Sequence, residues 1–397
     1  MAKAWLITPT ARMHSEYAPL GMAFLASFLH GRGHEVVWDL VGPDAVDGGG
    51  IARRARALAP DAVFVSSAPR FYCTCPVPTV EAALAVGRGV REGAPRARLV
   101  AIGPIASVRP DVFLEGKDGR FDVVCRGEPE PSAEGVLLAP SVEGCGSVPG
   151  ASIAGRTGGE APYADLASLP PPARDLLPME SFVFESHFAR RTTAIQASRG
   201  CPFACTFCFI NRDDAYANLN AGKKFRTRSP EQIVAEVSGL KARYGIDGLF
   251  FEDSEFVVHR KHAEGVAEAL ARSHPDVRWS AHIRATSVDR EMLSLLHRAG
   301  CREIFFGVES GNAALLESTR KGVTLESITE AFRLTREAEI RSTASFVLGL
   351  PGETPATVEE TIRFARRLKP DHASFHIFAP YEGTRLHGEA VAAGRIE

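Results

Sequence analysis

Several things are scarce in this chain of 397 residues, and each scarcity closes off a class of protein. Net charge is one: 46 Lys and Arg face 48 Asp and Glu, which leaves −2. A general nucleic-acid binder needs a cationic surplus to neutralise phosphates, so no nucleic-acid partner is expected. Long apolar runs are another. No stretch approaches the length that crosses a bilayer, so no membrane partner is expected. From Met1 to Leu6 the chain enters an apolar strand pattern directly, without the layout of a signal peptide, and a cytoplasmic location is the expectation. Internal repeats and low-complexity tracts are also missing. Hydrophobic residues nevertheless make up 45%, too much for a disordered chain. At this length they allow two or three domains with a large core.

The first part alternates short apolar runs with helical patterns. Candidate strands are Ala4–Thr8, Glu35–Leu40, Ala62–Ser66, Arg98–Ile102 and Phe121–Cys125. Helix-like segments lie between them, near Leu20–His30, Ile51–Leu58, Val80–Arg91 and Pro110–Glu115. Runs such as Leu99 to Ile102 are continuously apolar, as in a parallel sheet covered on both faces. The reading is an α/β, doubly wound, Rossmann-like domain over residues 1–140, with ligand loops beyond Thr8, Ser66, Ile102 and Cys125. Residues 141–186, rich in Gly and Pro around 155–162 and at Pro170 to Pro172, read as a linker or wrapping segment.

Residues 187–397 form a second α/β series. Candidate strands are Thr193–Ser198, Gly248–Glu252, Arg278–His282, Glu303–Val308, Ala344–Leu348 and Ala373–Phe378. The helix after the first strand has Ser229 as N-cap, Pro230 at its first position and a stripe of Ile233, Val237, Leu240 and Tyr244. A later one carries Met292, Leu295, Leu296 and Ala299 and stops at Gly300. Six such units predict a partial (β/α)6 barrel of the TIM type, with chemistry on the loops at the strand C-termini.

The eight cysteines are Cys73, Cys75, Cys125, Cys145, Cys201, Cys205, Cys208 and Cys301. Disulfides are not expected in a reducing compartment, where clustered cysteines bind metal or do redox chemistry. Arg199-Gly-Cys201-Pro-Phe-Ala-Cys205-Thr-Phe-Cys208 follows the first strand of the second series. Three thiolates at this spacing can hold one iron–sulfur cluster, because iron favours sulfur. A four-iron cluster has four corners, so one iron stays open for a small molecule. Structural zinc would want a fourth protein ligand nearby, and none is evident.

Here the chain resembles the radical S-adenosylmethionine (SAM) enzymes, over roughly Arg190 to Glu397. The triad matches their cluster signature, and Phe207 fills its aromatic position. The resemblance implies that SAM chelates the open iron of a 4Fe-4S cluster. An electron then cleaves it to methionine and a 5′-deoxyadenosyl radical. Later segments also match: Glu252-Asp253, His282-Ile-Arg284, Gly307-Val-Glu309-Ser310 and Gly349-Leu-Pro351-Gly352-Glu353. Arg284 can pair with the SAM carboxylate, and Glu309 and Ser310 can accept ribose hydroxyls. Gly307 and Gly349 can let a ligand approach backbone closely. Bland roles stand beside these: Glu252 and Asp253 as helix caps, Arg284 as a rim ion pair, Gly349 to Glu353 as a turn.

Tyr17-Ala-Pro19-Leu-Gly21 resembles the opening of the cobalamin-binding domains fused to many radical SAM enzymes. So do Arg70-Phe-Tyr72-Cys73-Thr-Cys75-Pro76, Gly103-Pro104-Ile-Ala-Ser107 and Gly127-Glu128-Pro129. The resemblance implies cobalamin, held without a protein histidine because no Asp-x-His-x-x-Gly motif is present. Arg70 or Tyr72 would face the corrin's lower side, with Gly103, Ser107 and Glu128 nearby. Cys73 and Cys75 read either as loop packing or as a clasp for a soft ion or thiophilic substrate. Cys125, Cys145 and Cys301 read as packing residues, and His282, His372 and His376 as polar lining.

The leading expectation is a cobalamin-dependent radical SAM methyltransferase that methylates an unactivated carbon or phosphorus of a small metabolite. It would draw electrons from an external flavodoxin- or ferredoxin-type reductant. The alternatives are a cobalamin-independent radical SAM transferase using Cys73 and Cys75, a radical cyclisation or rearrangement enzyme, and a non-enzymatic iron–sulfur sensor. The chain stops at Glu397, soon after Tyr381-Glu-Gly383-Thr-Arg385, so a minimal or truncated member is expected and the substrate is not readable.

Overall fold

A computed structural model describes residues 1–9, 17–42, 49–67, 80–116, 121–208 and 225–396. The described chain divides into two compact units, one from Met1 to Ser181 and the other from Phe182 onward.

The first unit is built on a sheet of seven strands, β1 (Lys3–Pro9), β2 (Glu35–Val41), β3 (Ala62–Ser66), β4 (Arg98–Ile102), β5 (Val123–Cys125), β6 (Ala151–Ile153) and β7 (Arg156–Thr157). Their order is β2-β1-β3-β4-β5-β6-β7. The first five pair in parallel and the last two antiparallel. Every residue of β3 is buried, as expected of a strand covered on both faces. The strand order reverses between β1 and β3, and in such sheets ligands bind beyond the strand ends at that reversal. The segments that follow these two strands, 10–16 and 68–79, lie outside the described residues.

Part of the stretch read as a linker belongs to this sheet. The short helix Val142–Cys145 leads into β6 and β7, which add an antiparallel edge. Strands of three and two residues are too short to leave a period in the sequence. Arg126 fastens the segment that leaves β7: its buried guanidinium donates to Gly158 O at 2.8 Å and also to Gly159 O.

The second unit carries six parallel strands in sequential order, β8 (Thr192–Ile195), β11 (Gly248–Phe251), β12 (Arg278–His282), β13 (Cys301–Glu309), β14 (Arg341–Leu348) and β15 (His372–Ile377). A two-stranded ribbon, β9 (Ser198–Arg199) and β10 (Arg226–Thr227), interrupts the series after β8. Because β8 and β15 are both edges of the sheet, the barrel is open. One face packs on helices through Phe251, Phe256 and Trp279, whose rings lie 4.7–5.3 Å apart, and through Phe306 on Phe332 at 4.9 Å. The opposite, concave face carries Phe250, His282 and Phe305.

The helices form where the sequence starts and stops them. Pro230–Tyr244 opens on a capping box between Ser229 and Gln232 and closes on Gly245 at φ +62°. Its stripe buries Ile233, Val237 and Leu240, while Tyr244 is only half-buried. Arg290–Arg298 buries Leu293 with Met292 and Leu296, and leaves Leu295 half-buried. Both leucines lie at helical spacings from the stripe, so periodicity alone did not choose between them.

Candidate functional site

The cysteine loop leaves the sheet through a clamp. After β8, Ala197 N donates to Asp253 Oδ2 at 3.0 Å, and the Ser198 hydroxyl donates to the same carboxylate. From the other side Arg228 N donates to Ala197 O at 2.8 Å. Arg228 Nη1 reaches Gln196 O at 2.8 Å and Glu236 Oε2 at 2.6 Å. Asp253, Arg228 and Glu236 are all buried. Burial pushes the Asp253 carboxyl up to about 6, against the pull of its hydrogen bonds to Ser198 and Ala197 and of the Arg228 charge. Gly200, at φ +91°, then turns the chain into Cys201, a conformation only glycine adopts freely.

Within the loop, Cys208 N donates to Cys205 O at 3.2 Å. The Thr206 residue is gripped on both sides: its N donates to Thr319 O at 2.9 Å, and its O accepts from Leu386 N at 3.2 Å. Cys205 is buried, and Cys201, Cys208 and Phe207 are half-buried. None of the three cysteines is in a disulfide. Burial pushes the Cys201 thiol up to about 11, so metal loading there releases a proton. Among the described residues no three His, Cys, Asp or Glu side chains gather as around a single ion. A four-iron cube is held from separate corners instead. The fit is carried by the soft donor set and by Thr206 Oγ1, which is buried between two of the cysteines without a partner among the described residues. An unpaired buried hydroxyl costs roughly 1–3 kcal/mol, which a sulfur acceptor would offset.

Charges surround the loop. Arg284 is buried; its guanidinium lies 4.0 Å over the Phe203 ring, and its Nε donates to Thr286 Oγ1 at 3.2 Å. Burial lifts the Glu255 carboxyl to about 7. Glu309, at the end of β13, makes a 2.6 Å ion pair with Lys321. The strand register shifts between Gly307 and Glu309, and Glu309 stands at φ +66°, a strained setting for a residue with a side chain. The pair occupies the space above Gly307, where an added Cβ would sit 2.7 Å from Lys321 Nζ. Gly307 thus makes room for a neighbouring ion pair, where the sequence pointed to a ligand.

Ser310 is fully buried. Its hydroxyl accepts from Asn312 N at 3.1 Å and lies 3.3 Å from Thr361 Oγ1, so it serves the start of the next helix. Glu252 is half-buried, and its N donates to Ile195 O. Gly349 N donates to the Glu353 carboxylate across a turn with Gly349 and Gly352 both at positive φ. On the concave face Phe250, His282 and Phe305 lie 5.2–5.7 Å apart. Burial, helped by the Lys321 charge, lowers the His282 imidazole to about 4. His372 and His376 are exposed. Their spacing would pair them on a helix, but on β15 it puts them two pleats apart.

In the first unit, Gly103 (φ +97°) begins the helix Pro104–Val108 at the C-terminal end of β4. A Cβ there would meet Ser67 Oγ at 3.0 Å. Ser67 Oγ accepts from Ala106 N at 3.1 Å, and Ser107 Oγ accepts from Gly127 N at 2.9 Å. The result is a small-residue rim in which the missing side chain of Gly103 makes room for Ser67. Glu128 is buried and accepts from Ala164 N at 2.8 Å. Arg70, Tyr72, Cys73 and Cys75 lie outside the described residues.

An open parallel barrel whose first strand feeds a three-cysteine loop, joined in one chain to a doubly wound sheet, defines a two-module class of metallocofactor protein. A radical SAM superfamily profile matches residues 195–365, and a B12-binding domain profile matches residues 8–137. The radical SAM domain implies a 4Fe-4S cluster and SAM, and the B12-binding domain implies cobalamin. An uncharacterized methyltransferase of Pyrococcus horikoshii is 33% identical over 229 residues, 57% of this chain and 48% of that one. The hopanoid C-3 methylase of Methylococcus capsulatus is 26% identical over 390 residues, 96% of this chain and 71% of that one. The radical SAM methyltransferase TsrM of Kitasatospora setae, solved with cobalamin and a 4Fe-4S cluster, superposes with a TM-score of 0.76 at 21% identity. That superposition covers 99% of this chain and 75% of TsrM. Against the Pyrococcus relative the matched stretch spans about half of the longer protein. Among the described residues no helix is long and apolar enough to cross a membrane.

Sequence reasoning singled out the triad, Phe207 and Arg284, and the structure brings Arg284 over Phe203 of the same loop. It missed Lys321, the Arg228–Glu236 pair and the grip on Thr206. Lys and Arg in loops carry no periodic signal, and a partner 12 or 180 residues away is invisible to local patterns.

Proposed function

We propose that the protein is a cobalamin-dependent radical SAM methyltransferase acting on an unactivated carbon or phosphorus of a small metabolite. The observation that carries this reading is the three-cysteine loop in a chain that also has a B12-binding domain. When bound, the cluster would supply the electron that cleaves SAM, and cobalamin would supply the methyl carrier. Cys201, Cys205 and Cys208 hold the cluster, and the clamp of Asp253 and Arg228 fixes where their loop begins. Arg284, stacked on Phe203 within that loop, is the partner for the SAM carboxylate. Phe207, Glu252, Gly307 and Glu309 line the same end of the barrel. Ser310 acts behind them, fixing the turn that follows Glu309. The neutral imidazole of His282 and the rings of Phe250 and Phe305 make a surface for substrate that carries no net charge. In the first unit Gly103 and Ser107 form the rim for the corrin, Glu128 braces that rim, and Arg70 or Tyr72 would face the corrin's lower side. An external flavodoxin- or ferredoxin-type reductant completes the scheme.

The test is anaerobic reconstitution of the full chain with iron, sulfide and cobalamin, followed by incubation with SAM and a strong one-electron reductant. The expected result is a corrinoid spectrum, about four irons per chain, and 5′-deoxyadenosine with S-adenosylhomocysteine among the products. A folded protein that retains no corrinoid defeats the methyltransferase reading. One that holds iron but leaves SAM intact defeats the radical SAM reading as well.

A further inference from the structure

We propose that Lys321 sets the reduction potential of the cluster held by Cys201, Cys205 and Cys208, as a fixed positive charge next to their loop. The inference rests on the function proposed above. It goes beyond it by assigning a residue outside the cluster signature to the tuning of the metal centre.

Four observations converge on this lysine. Its ammonium is nearly buried and lies 2.6 Å from Glu309 Oε1, itself nearly buried. Its segment is strapped to the cysteine loop by the bond from Thr206 N to Thr319 O at 2.9 Å. Its chain neighbours hold it in an unusual backbone: Arg320 is at φ +51° and Gly322 at φ +66°. Arg284, which stacks on Phe203 of the same loop, sits against Gly322, where an added Cβ would be 3.2 Å from its Nη2.

Left-handed backbone at Arg320 and Glu309 is strained and persists only where the surroundings enforce it. Here both strained residues serve the placement of one ammonium group. That group stays charged. The Glu309 carboxylate, 2.6 Å away, is its counter-ion. The Glu309–Lys321 pair thus places an ammonium group on the segment that is strapped to the cysteine loop. A hydrophobic pair of similar volume would be no less stable in such a place, so a stability role alone does not account for the ammonium. A cation in a low-dielectric setting stabilises the more negative, reduced state of a nearby cluster and raises its potential. Lys321 acts through the cluster and is a positioning residue in that sense.

The experiment compares the anaerobically reconstituted full chain with Lys321→Met and Lys321→Arg. It uses iron and sulfide content and a redox titration followed by electron paramagnetic resonance, with no SAM added. The expected result is a lower midpoint potential for Lys321→Met at full iron content and a wild-type midpoint for Lys321→Arg. Iron retained by Lys321→Arg but lost from Lys321→Met also supports the charge. An unchanged midpoint in Lys321→Met overturns the proposal. Equal shifts in both variants, or loss of iron from both, overturn it as well, because shape and not charge would then be at issue. A wild-type chain that assembles no four-iron cluster refutes the proposed function itself, a result distinguishable from all of these.

Discussion

The two units place their candidate sites at the same topological position, the C-terminal ends of parallel strands, and build them from opposite materials. The rim in the first unit is made of Gly103, Gly127 and the hydroxyls of Ser67 and Ser107. The rim in the second gathers Asp253, Glu255, Arg284, Glu309 and Lys321, all buried or nearly so. Small neutral groups expose backbone and let a broad ligand lie close. Buried charges bind a small zwitterion and hold its neighbours in fixed orientation. The contrast fits a flat corrin in one unit and a sulfonium amino acid in the other. Position in the fold gives the place of a site, while side-chain chemistry decides what the site takes.

The sharpest way to break this contrast is at the triad. Cys205→Ala is expected to remove iron and reduce 5′-deoxyadenosine to the background of a no-enzyme control, while corrinoid retention by the first unit persists. Simultaneous loss of both cofactors would show that the two sites do not stand independently.

Next is the buried ion pair behind the cysteine loop. Glu236→Leu leaves Arg228 uncompensated and should destabilise the second unit by about 3–5 kcal/mol in denaturant unfolding. Arg228→Met with Glu236→Leu should recover much of that. If the double variant is as unstable as the single, the pair is not the source of the loss.

In the first unit the corresponding weak point is a glycine. Gly103→Ala forces a side chain into a backbone setting that favours glycine and should cost roughly 1–3 kcal/mol. Corrinoid uptake should weaken and the iron content should stay unchanged.

The second unit should also show a pH dependence that comes from a buried carboxyl. Asp253 has its folded-state pKa raised from 3.8 to about 6. Between those values the folded chain binds more protons than the unfolded one, so stability falls as pH rises through the window. Above about pH 6 the full cost of the buried charge is present, on the order of 3 kcal/mol. Asp253→Asn should remove that slope, whatever constant offset it introduces. Parallel pH profiles for the variant and wild type would sink the assignment. The smallest effect is at the helix that follows the clamp: Ser229→Ala should cost about 1 kcal/mol through the lost N-cap.

The same contrast marks what could be read from the sequence. All eleven strands expected from apolar runs appear; β3, β8 and β11 are buried throughout and leave a continuous signal, while β2 and β15 show that partly exposed strands can be read as well. The cysteine triad was legible because its three ligands sit within eight residues. Strands β6 and β7 were not, being too short to show a period. Ser310 stood in the right segment, but its hydroxyl turns to Thr361 and Asn312, a choice made by a helix some fifty residues on. Lys321 had no local signature, since its partner lies across a strand bulge. The neutral rim was easier to read than the charged one, because glycines announce themselves locally and ion pairs do not.

The grip on Thr206 has a consequence in time. One side of it is Leu386, 386 − 206 = 180 residues further along the chain. At roughly 5–20 residues per second of synthesis, about 9–36 s separate the two residues. Throughout that interval the cysteine loop exists without its last fastening. Cellular machinery that delivers iron and sulfide would meet an open loop on the ribosome and a closed one afterwards, so the moment of delivery is itself written into the fold.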